Sequence, residues 1–358
     1  MNNRETLPIA TIIPSYNHEK YIGEAIESVL DQSKKSSEIL IVDDCSTDGS
    51  RAVLDRYSKH VSIIHHEKNM GGAETLNTGI RNSSSEYVAI LNSDDTWVKT
   101  KLELQLDYLE SNSLDACFTQ AHIMNAKSEV LENPPRFFSV FEMSEPAGGS
   151  YLHHFFYRGN FLCHPSLLVK KNMYSRSGLY NGGLEQLPDF AKWIDFSKHG
   201  KIGILPEKLI NYRYLESENA SSQKIVQNQI RTRNEVYLIF STIFDGLSRQ
   251  SIEENFRDEL SRLTGIFKDL SKIDPAIALL LTHPEGSLAN QALYAGILRL
   301  WNKVELEGES ERAFLRSVLS QVEINLKPIN LHTPPDVGDP STRLRRSGKK
   351  LVSRILNG

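Results

Sequence analysis

Short apolar runs alternate with helical patterns over the first third of the chain. The runs have the length of buried strands, and they cover residues 9–14, 38–44, 61–66 and 87–91. Two other segments place their apolar residues on one helical face: Tyr21, Ile22, Ala25, Ile26, Val29 and Leu30 in the first, and Leu102, Leu106 and Leu109 in the second. Strands that alternate with helices predict an α/β fold with a Rossmann-like, doubly wound and mostly parallel sheet.

Turn-forming and polar residues follow three of the four predicted strands. They are Pro14, Ser15, Tyr16 and Asn17 at the first strand, Asp43 and Asp44 at the second, and Asn92, Ser93, Asp94 and Asp95 after the fourth. In doubly wound sheets, ligands bind beyond the carboxyl ends of the strands. Asp, Asn and Ser also cap the helices that follow such strands, so capping explains any single cluster. Three clusters on one edge predict a ligand site.

Asp94 and Asp95 are neighbouring carboxylates at the exit of a predicted buried strand. Two like charges repel each other there unless a cation or separate partners stabilise them. Carboxylate oxygens suit a hard divalent ion such as Mg²⁺ or Mn²⁺. Asp95 as the cap of a helix that begins near Lys99 is the alternative for one of the two. The sequence leaves open which carboxylate binds a metal.

The character of the chain changes after residue 125. Residues 126–165 are irregular, residues 166–222 form a second structured block, and helical patterns follow from Lys224. The helical patterns contain two apolar stripes: Val226, Ile230, Tyr237, Phe240 and Phe244, then Ile252, Phe256, Leu260, Leu263, Phe267 and Leu270. We predict a first domain over residues 1–222, with halves at about 1–125 and 126–222. A helical domain over 223–331 and a linker with a tail over 332–358 complete the prediction.

The tail carries six basic residues and no acidic residue between 341 and 358. Its apolar residues fall on one side of a helical projection: Leu344, Leu351, Val352, Ile355 and Leu356. This pattern predicts a basic amphipathic helix that binds an anionic membrane surface. A solvated terminus and a helix docked on a partner subunit remain open as alternatives.

Composition and charge narrow the classes of function. The chain has 358 residues, 39% of them hydrophobic and 24% charged, and a formal net charge of −4, so we predict a globular protein with no nucleic-acid partner. The three cysteines, Cys45, Cys117 and Cys163, are odd in number and far apart, which fits a reducing compartment. No apolar segment approaches the ~20 residues that span a bilayer. We predict a cytoplasmic protein, with a peripheral position at the inner face of the membrane as a hypothesis from the tail.

Six motifs occur in the order found in one enzyme family. They are "IIPSYNHEKYIGEAIESVLDQ", "EILIVDDCSTDGS", "NMGGAETLNTGI", "YVAILNSDDTW", "NFLCHPSLLVKK" and "LPDFAKWIDFSKHGKIGILPEKLINYR". Over about residues 7–222 the chain resembles the inverting glycosyltransferases of family 2, which have the GT-A fold, and in particular those of bacterial cell-surface polysaccharide synthesis. The resemblance implies a nucleotide-sugar half and an acceptor half in the first domain.

The resemblance also implies a donor site and a metal. Tyr16 would lie against the base, and Asp44 and Ser46 would contact the nucleoside. The residues implied for the nucleotide sugar, most simply a UDP-sugar, are Pro14, Tyr16, Asn17, Asp44, Ser46, Gly72, Asn77, Asn92 and Asp94. Mg²⁺ or Mn²⁺ would be held by Asp94 and Asp95 together with the donor diphosphate.

On the acceptor side the resemblance implies a base and two neighbours. Asp189 would take the proton of the acceptor hydroxyl, and Trp193 and His164 would line the acceptor. Each has a structural alternative: Asp189 as a carboxylate at a helix start, Trp193 as a core residue, and His164 as a buried, hydrogen-bonded histidine. The acceptor would be a saccharide or a lipid-linked saccharide.

The chain departs from the family pattern at four places. Asn92 stands where the family has Asp, Leu76 where it often has Arg, Pro188 where it has Glu, and Tyr214–Leu215 where it often has a metal-binding His. We predict a metal-dependent inverting glycosyltransferase. The departures keep a catalytically impaired nucleotide-sugar-binding or scaffold protein open. A nucleotidyltransferase is a weaker alternative, because "PSYNHEKY" is not a Gly-rich triphosphate loop.

Overall fold

The structure is a computed structural model that describes residues 6–146, 149–215, 226–263, 274–283 and 288–307. The chain divides into two compact units, one formed by Met1–Tyr151 and Asn160–Gln223, the other by Leu152–Gly159 and Lys224–Gly358. The predicted linker and basic tail, residues 332–358, lie outside the described residues. Within the described ranges, no helix is both long enough and apolar enough to cross a membrane.

The first unit is built on one eight-stranded sheet. Its strands are β1 (Thr6–Ser15), β2 (Lys35–Asp43), β3 (Ser62–His65), β4 (Tyr87–Ile90), β5 (Thr96–Trp97), β6 (Ala116–Met124), β7 (Leu168–Lys170) and β8 (Ile202–Arg213), in the order β3-β2-β1-β4-β7-β6-β8-β5. β1 pairs in parallel with β2 and β4, as β2 does with β3 and β6 with β8. β7 is antiparallel to β4 and β6, and β5 is antiparallel to β8. The predicted α/β fold with a mostly parallel sheet is confirmed.

Helices connect these strands. In chain order they are α1 (Ile22–Leu30), α2 (Ser50–Asp55), α3 (Gly72–Asn82), α4 (Lys101–Ser111), α5 (Tyr151–Arg158), α6 (Asn172–Ser177) and α7 (Pro188–His199), with 3₁₀ turns at Arg136–Glu142 and His164–Ser166. α1 buries Ile22, Ala25, Ile26 and Val29, and α4 buries Leu102, Leu106 and Leu109. The predicted apolar faces therefore pack into the core, where most of their favourable free energy arises.

The second unit is helical. It contains most of α5 together with α8 (Val226–Thr242), α9 (Arg249–Asn255), α10 (Arg257–Leu263), α11 (Pro275–Leu281) and α12 (Ala289–Glu307). The sequence analysis assigned residues 152–159 to the first domain, but they lie in the second unit. The reason is the buried ring of Phe156, which packs against Phe240, Phe244 and Phe256 with ring centroids 5.3–5.6 Å apart.

One predicted stripe of this unit is only partly buried. Phe240 and Phe244 are in the core, whereas Val226 and Ile230 are 50% and 48% exposed. The face of α8 that packs inward includes Asn228, Glu235, Val236 and Ile239 instead. The predicted stripe is therefore wrong over the first turns of α8, where polar residues share the buried face.

Candidate functional site

The three polar clusters meet at the carboxyl edge of the sheet. Ser15 and Asp43 are partners in the parallel register of β1 and β2, and the Asp44 N–H donates to the Ser15 carbonyl at 2.8 Å. The third cluster joins them through Ser93, whose Oγ lies 2.7 Å from His18 Nδ1. Parallel strands bring their carboxyl ends to one edge, so residues up to 75 positions apart become neighbours there.

The turn after β1 is locked to the turn after β2. The Asn17 N–H donates to Ser46 Oγ at 3.0 Å, and Asn17 Oδ1 accepts the Thr47 N–H at 2.8 Å. Asn17 and Cys45 are left-handed, with φ of 53° and 63°, a conformation that non-glycine residues keep when their surroundings enforce it. The locked turns leave the Tyr16 ring 42% exposed at the edge, while Pro14 is paired inside β1 with Val42.

Asp44 organises the glycine loop before α3. Its buried carboxylate accepts hydrogen bonds from the Met70 N–H at 2.8 Å, the Gly71 N–H at 2.9 Å and His66 Nδ1 at 2.7 Å. Gly71 has φ of 84°, which favours glycine, and a Cβ added at Gly71 or Gly72 would meet nothing within 4 Å. The loop therefore borders open space at the first turn of α3, beside the exposed edge.

Asp94 and Asp95 have different surroundings. Asp95 is buried, and its Oδ1 accepts the Arg213 N–H at 2.7 Å while its Oδ2 accepts Asn92 Nδ2–H at 3.0 Å. No other residue of the described chain hydrogen-bonds the Asp94 carboxylate, and only the Asp94 carbonyl is held, by Arg213 Nε at 2.6 Å. Asp95 thus fixes the loop, and Asp94 keeps its carboxylate for a ligand.

The two carboxylates influence each other's ionisation. Burial raises the pKa of Asp95 well above its usual value, the Asp94 charge raises it further, and hydrogen bonds from Arg213 and Asn92 oppose both. Burial also raises the pKa of Asp94, which the positive charges of His18 and Arg213 lower in part. A divalent cation would favour the ionised form of both groups.

The donor set at Asp94 fits a hard divalent cation, with few protein ligands. The fit rests on a half-buried carboxylate that accepts no hydrogen bond from another residue of the described chain. Across the described ranges no group of three or more His, Cys, Asp or Glu side chains forms a metal site. Such an ion would therefore take most of its remaining ligands from substrate phosphates and water, as Mg²⁺ commonly does.

Arg213 is a site residue that the sequence analysis missed. Its guanidinium is fully buried, contacts the face of Tyr21 at 4.5 Å and pairs with Glu24 Oε2 at 2.7 Å. The same side chain donates to Ser128 Oγ at 2.9 Å in addition to the Asp94 carbonyl. An arginine that ends an apolar strand needs several buried acceptors, and that need was the available signal. Arg213 positions the loop that carries Asp94.

A chain of side-chain hydrogen bonds runs from Asp95 toward α3. Beyond the Asn92–Asp95 bond, Asn92 Oδ1 accepts His164 Nδ1–H at 3.1 Å, and Tyr180 Oη donates to His164 Nε2 at 3.4 Å. Burial lowers the pKa of His164 to about 4, so the ring is neutral near pH 7. Asn77 holds the Tyr180 backbone at both its N–H and its carbonyl, each at 2.9 Å.

These bonds change the interpretation of two predicted donor-binding residues. The Asn77 amide donates to Glu74 and Tyr180, and the Asn92 amide bridges Asp95 and His164. Both amides are engaged by protein groups, so the structure gives them positioning roles. The sequence pattern could not show this, since Tyr180 lies 103 residues from Asn77.

The predicted acceptor residues fall into two environments. Asp189 is the second residue of α7, where its Oδ2 accepts Asn160 Nδ2–H at 3.0 Å and its Oδ1 accepts the Phe190 N–H at 2.7 Å. Its role as base stays a prediction, and Asn160 is a further residue that orients it. Trp193 has no exposed surface and packs against Phe118 at 4.7 Å. The prediction that Trp193 lines an acceptor is wrong, because its ring lies inside the core.

Comparison with known proteins identifies the family to which the matched residues belong. Residues 10–174 match the family described as "Glycosyl transferase family 2". This part of the chain belongs to glycosyltransferase family 2. A putative teichuronic acid biosynthesis glycosyltransferase, TuaG of Bacillus subtilis, is 42% identical over 119 residues, which are 32% of this chain and 47% of the relative. WfgD of Escherichia coli, named as a UDP-Glc:alpha-D-GlcNAc-diphosphoundecaprenol beta-1,3-glucosyltransferase, is 34% identical over 34% of this chain and 49% of its own.

The match spans about half the length of these two relatives. A solved structure of S. aureus TarS 1-349 in complex with UDP-GlcNAc has a TM-score of 0.56 at 18% identity, covering 88% of this chain and 86% of that chain. The mannosyltransferase PcManGT from Pyrobaculum calidifontis was solved with GDP-Man and Mn2+. Its TM-score is 0.51 at 17% identity, and the match covers 87% of this chain and 79% of that chain. These likenesses establish that the family 2 domain has the GT-A fold with a helical C-terminal region.

Proposed function

We propose that this chain is a metal-dependent inverting glycosyltransferase. It moves a sugar from a nucleotide-sugar donor to a hydroxyl group of a saccharide or lipid-linked saccharide acceptor. The observation that carries the proposal is the carboxyl edge, where the exposed Tyr16 ring, the open space at Gly71 and Gly72 and the unshared Asp94 carboxylate lie on adjoining strands and turns. An aromatic face, a glycine-lined space and a carboxylate suit a base, a sugar diphosphate and its cation.

A UDP-sugar donor and a role in surface polysaccharide synthesis are supported by the names of the relatives. WfgD is named for a UDP-Glc donor and a diphosphoundecaprenol-linked acceptor, TuaG for teichuronic acid, and TarS was solved with UDP-GlcNAc. The three cysteines are free thiols, which fits a cytoplasmic reaction. We therefore infer a cytoplasmic enzyme that meets lipid-linked acceptors at the inner face of the membrane.

Each residue of the site has a distinct task in this proposal. Tyr16 stacks on the base, and the turn that carries Asn17 and Ser46 holds the ribose side. Asp94 binds a Mg²⁺ or Mn²⁺ ion, which would neutralise the charge that gathers on the departing diphosphate. Asp95 does not need to contact the ion, because both of its oxygens already hold the loop in place.

Asp189 carries the proton-transfer step. Its carboxylate accepts the proton of the acceptor hydroxyl as that oxygen forms a bond to the anomeric carbon. The bond from the anomeric carbon to the diphosphate oxygen breaks on the opposite face, so the configuration inverts. Asn160 Nδ2 and the Phe190 N–H fix the carboxylate orientation, which keeps the lone pairs of Asp189 in a constant direction.

The test is a panel of UDP- and GDP-sugars with Mn²⁺ and a polyprenyl-diphosphate GlcNAc acceptor. We expect nucleotide release with one donor, and a β-linked product from an α-linked donor by NMR. Asp94→Asn should abolish transfer and Mn²⁺-dependent UDP binding, whereas Asp95→Asn should mainly lower stability. Full activity in excess chelator would reject the metal role, and nucleotide-sugar binding without turnover would favour the scaffold alternative.

A further inference from the structure

The ligand set around Asp94 lacks the histidine that resemblance to the family implies at the end of β8. Tyr214 and Leu215 occupy that region, and Leu215 is buried, 6% exposed, with an apolar side chain. Asp95 is committed to Arg213 and Asn92. Among the residues considered so far in the described chain, Asp94 would therefore be the one protein ligand of such a cation.

His18 lies against the loop that carries Asp94. It follows the left-handed Asn17 after β1, and its N–H donates to Ser50 Oγ at 3.0 Å. Its ring nitrogen Nδ1 is 2.7 Å from the Oγ of Ser93, the residue before Asp94. The ring also meets the edge of Tyr21, with centroids 6.3 Å apart. The imidazole is thus held in place without a ligand.

One nitrogen of this ring is uncommitted. No residue of the described chain hydrogen-bonds His18 Nε2, and the side chain is partly exposed. His66 and His164 differ, because both nitrogens of each ring are engaged, His66 by Asp44 and Thr78, and His164 by Asn92 and Tyr180. When Nδ1–H donates to Ser93, the lone pair of Nε2 is left for a metal, the usual arrangement of a ligating histidine.

His18 and Asp94 are close to each other, because His18 Nδ1 lies 2.7 Å from the Oγ of Ser93, the residue before Asp94. The placement joins the first and third polar clusters of the sheet edge in one ligand pair.

We propose that Nε2 of His18 is a direct ligand of the divalent ion held by Asp94. This inference rests on the proposed function, because it names a ligand of the ion that function uses. His18 takes over the part that the family gives to a histidine after β8, and the donor diphosphate and water fill the other positions. An imidazole nitrogen favours Mn²⁺ over Mg²⁺, so the site should bind Mn²⁺ more tightly than Mg²⁺ in the presence of UDP.

The test uses the full chain with Mn²⁺ and UDP and reads the ion directly. Pulsed electron paramagnetic resonance should detect a nitrogen coordinated to Mn²⁺, and labelling with ¹⁵N-histidine should change that signal in the unmutated protein. In His18→Gln the nitrogen signal should disappear, and the Kd for Mn²⁺ at saturating UDP should rise by about 10-fold or more. The matched control is His60→Gln, an exposed histidine in the loop before β3, which should leave both quantities unchanged.

The outcomes separate this inference from the proposed function. If the protein with UDP binds no Mn²⁺, the metal dependence in the proposed function fails. If Mn²⁺ binds and ¹⁵N-histidine labelling changes nothing, or if His18→Gln keeps the nitrogen signal, the His18 assignment is overturned while the function stands. The labelling arm needs no variant, so an absent histidine signal would overturn the assignment even if the His18→Gln protein misfolded.

Discussion

Replacing Lys101 with methionine should stabilise the first unit. Lys101 is the first residue of α4, and its side chain is fully buried. Its ammonium group has no hydrogen-bond partner among the described residues and lies 4.0 Å from the centre of the Trp97 ring. The cation therefore rests on an aromatic face alone, and burial lowers its pKa from 10.5 to about 7.

The magnitude follows from that pKa. One pKa unit corresponds to about 1.4 kcal/mol, so keeping Lys101 charged costs the folded state about 5 kcal/mol below pH 7 and roughly 4 kcal/mol at pH 7. Contact with the Trp97 ring offsets up to about 2 kcal/mol of this. Since methionine fills a similar volume without a charge, we expect Lys101→Met to raise the free energy of unfolding by about 2 kcal/mol at pH 7.

The pH dependence gives the sign check. Between pH 7 and 10.5 the unfolded chain binds a proton at Lys101 that the folded protein lacks, so wild-type stability rises with pH across this window. The methionine variant lacks this contribution. Its advantage should hold below pH 7 and fall to less than about 1 kcal/mol at pH 10.

Urea unfolding followed by tryptophan fluorescence measures the difference, because two of the three tryptophans, the buried Trp97 and Trp193, lie in the first unit. The control is Lys99→Met, since Lys99 is exposed and its surface pair with Asp31 contributes at most about 1 kcal/mol. An advantage of Lys101→Met that is the same at pH 7 and pH 10, or a loss of stability at pH 7, would refute the reasoning.

Three further predictions address the site and the tail. Asp189→Asn should lower turnover by at least ~10²-fold with donor affinity little changed; a lost donor affinity with normal turnover per bound donor would make Asp189 structural. Asn92→Asp should lower the free energy of unfolding by about 1–3 kcal/mol at pH 8, because Asp95 loses its N–H donor and faces another carboxylate. The loss of stability should be smaller at pH 5, and equal losses at both pH values would contradict this prediction. Deletion of residues 341–358 should abolish salt-sensitive co-sedimentation with anionic vesicles, and equal sedimentation of both proteins would exclude the anchor.

The sequence predicted the strands and helices whose own apolar pattern is typical of their secondary structure. Strands β1, β2 and β4 bury short apolar runs, and helices α1 and α4 bury apolar residues at helical spacing; both patterns are visible without knowledge of their partners. Helix α5 was missed because its burial depends on Phe156 meeting aromatic rings that are about 84 to 100 residues further along the chain. Tertiary contacts of this kind leave no local pattern.

The same limit applies to the site. Polar residues at strand ends could be placed on one edge because parallel topology fixes where strand ends meet. The hydrogen-bond partners of Asn77 and Asn92 could not be predicted from the sequence, because both amides bind groups more than 70 residues away in the chain. For Trp193, the four-residue spacing from Asp189 placed it on α7 but could not tell which face of that helix is buried.

The hydrogen-bond chain from Tyr180 to Asp95 has a direction. Each link donates the same way: Tyr180 Oη to His164, His164 Nδ1–H to Asn92, and the Asn92 amide to Asp95. Dipoles in such a row polarise one another, so their positive ends add at the Asp95 carboxylate. Burial keeps His164 neutral and raises the pKa of Tyr180 well above its usual value, so none of the links changes charge between about pH 5 and 9. The row of hydrogen bonds therefore stabilises the Asp95 carboxylate in a way that does not depend on the pH of the compartment, and it is unsuited to conducting protons.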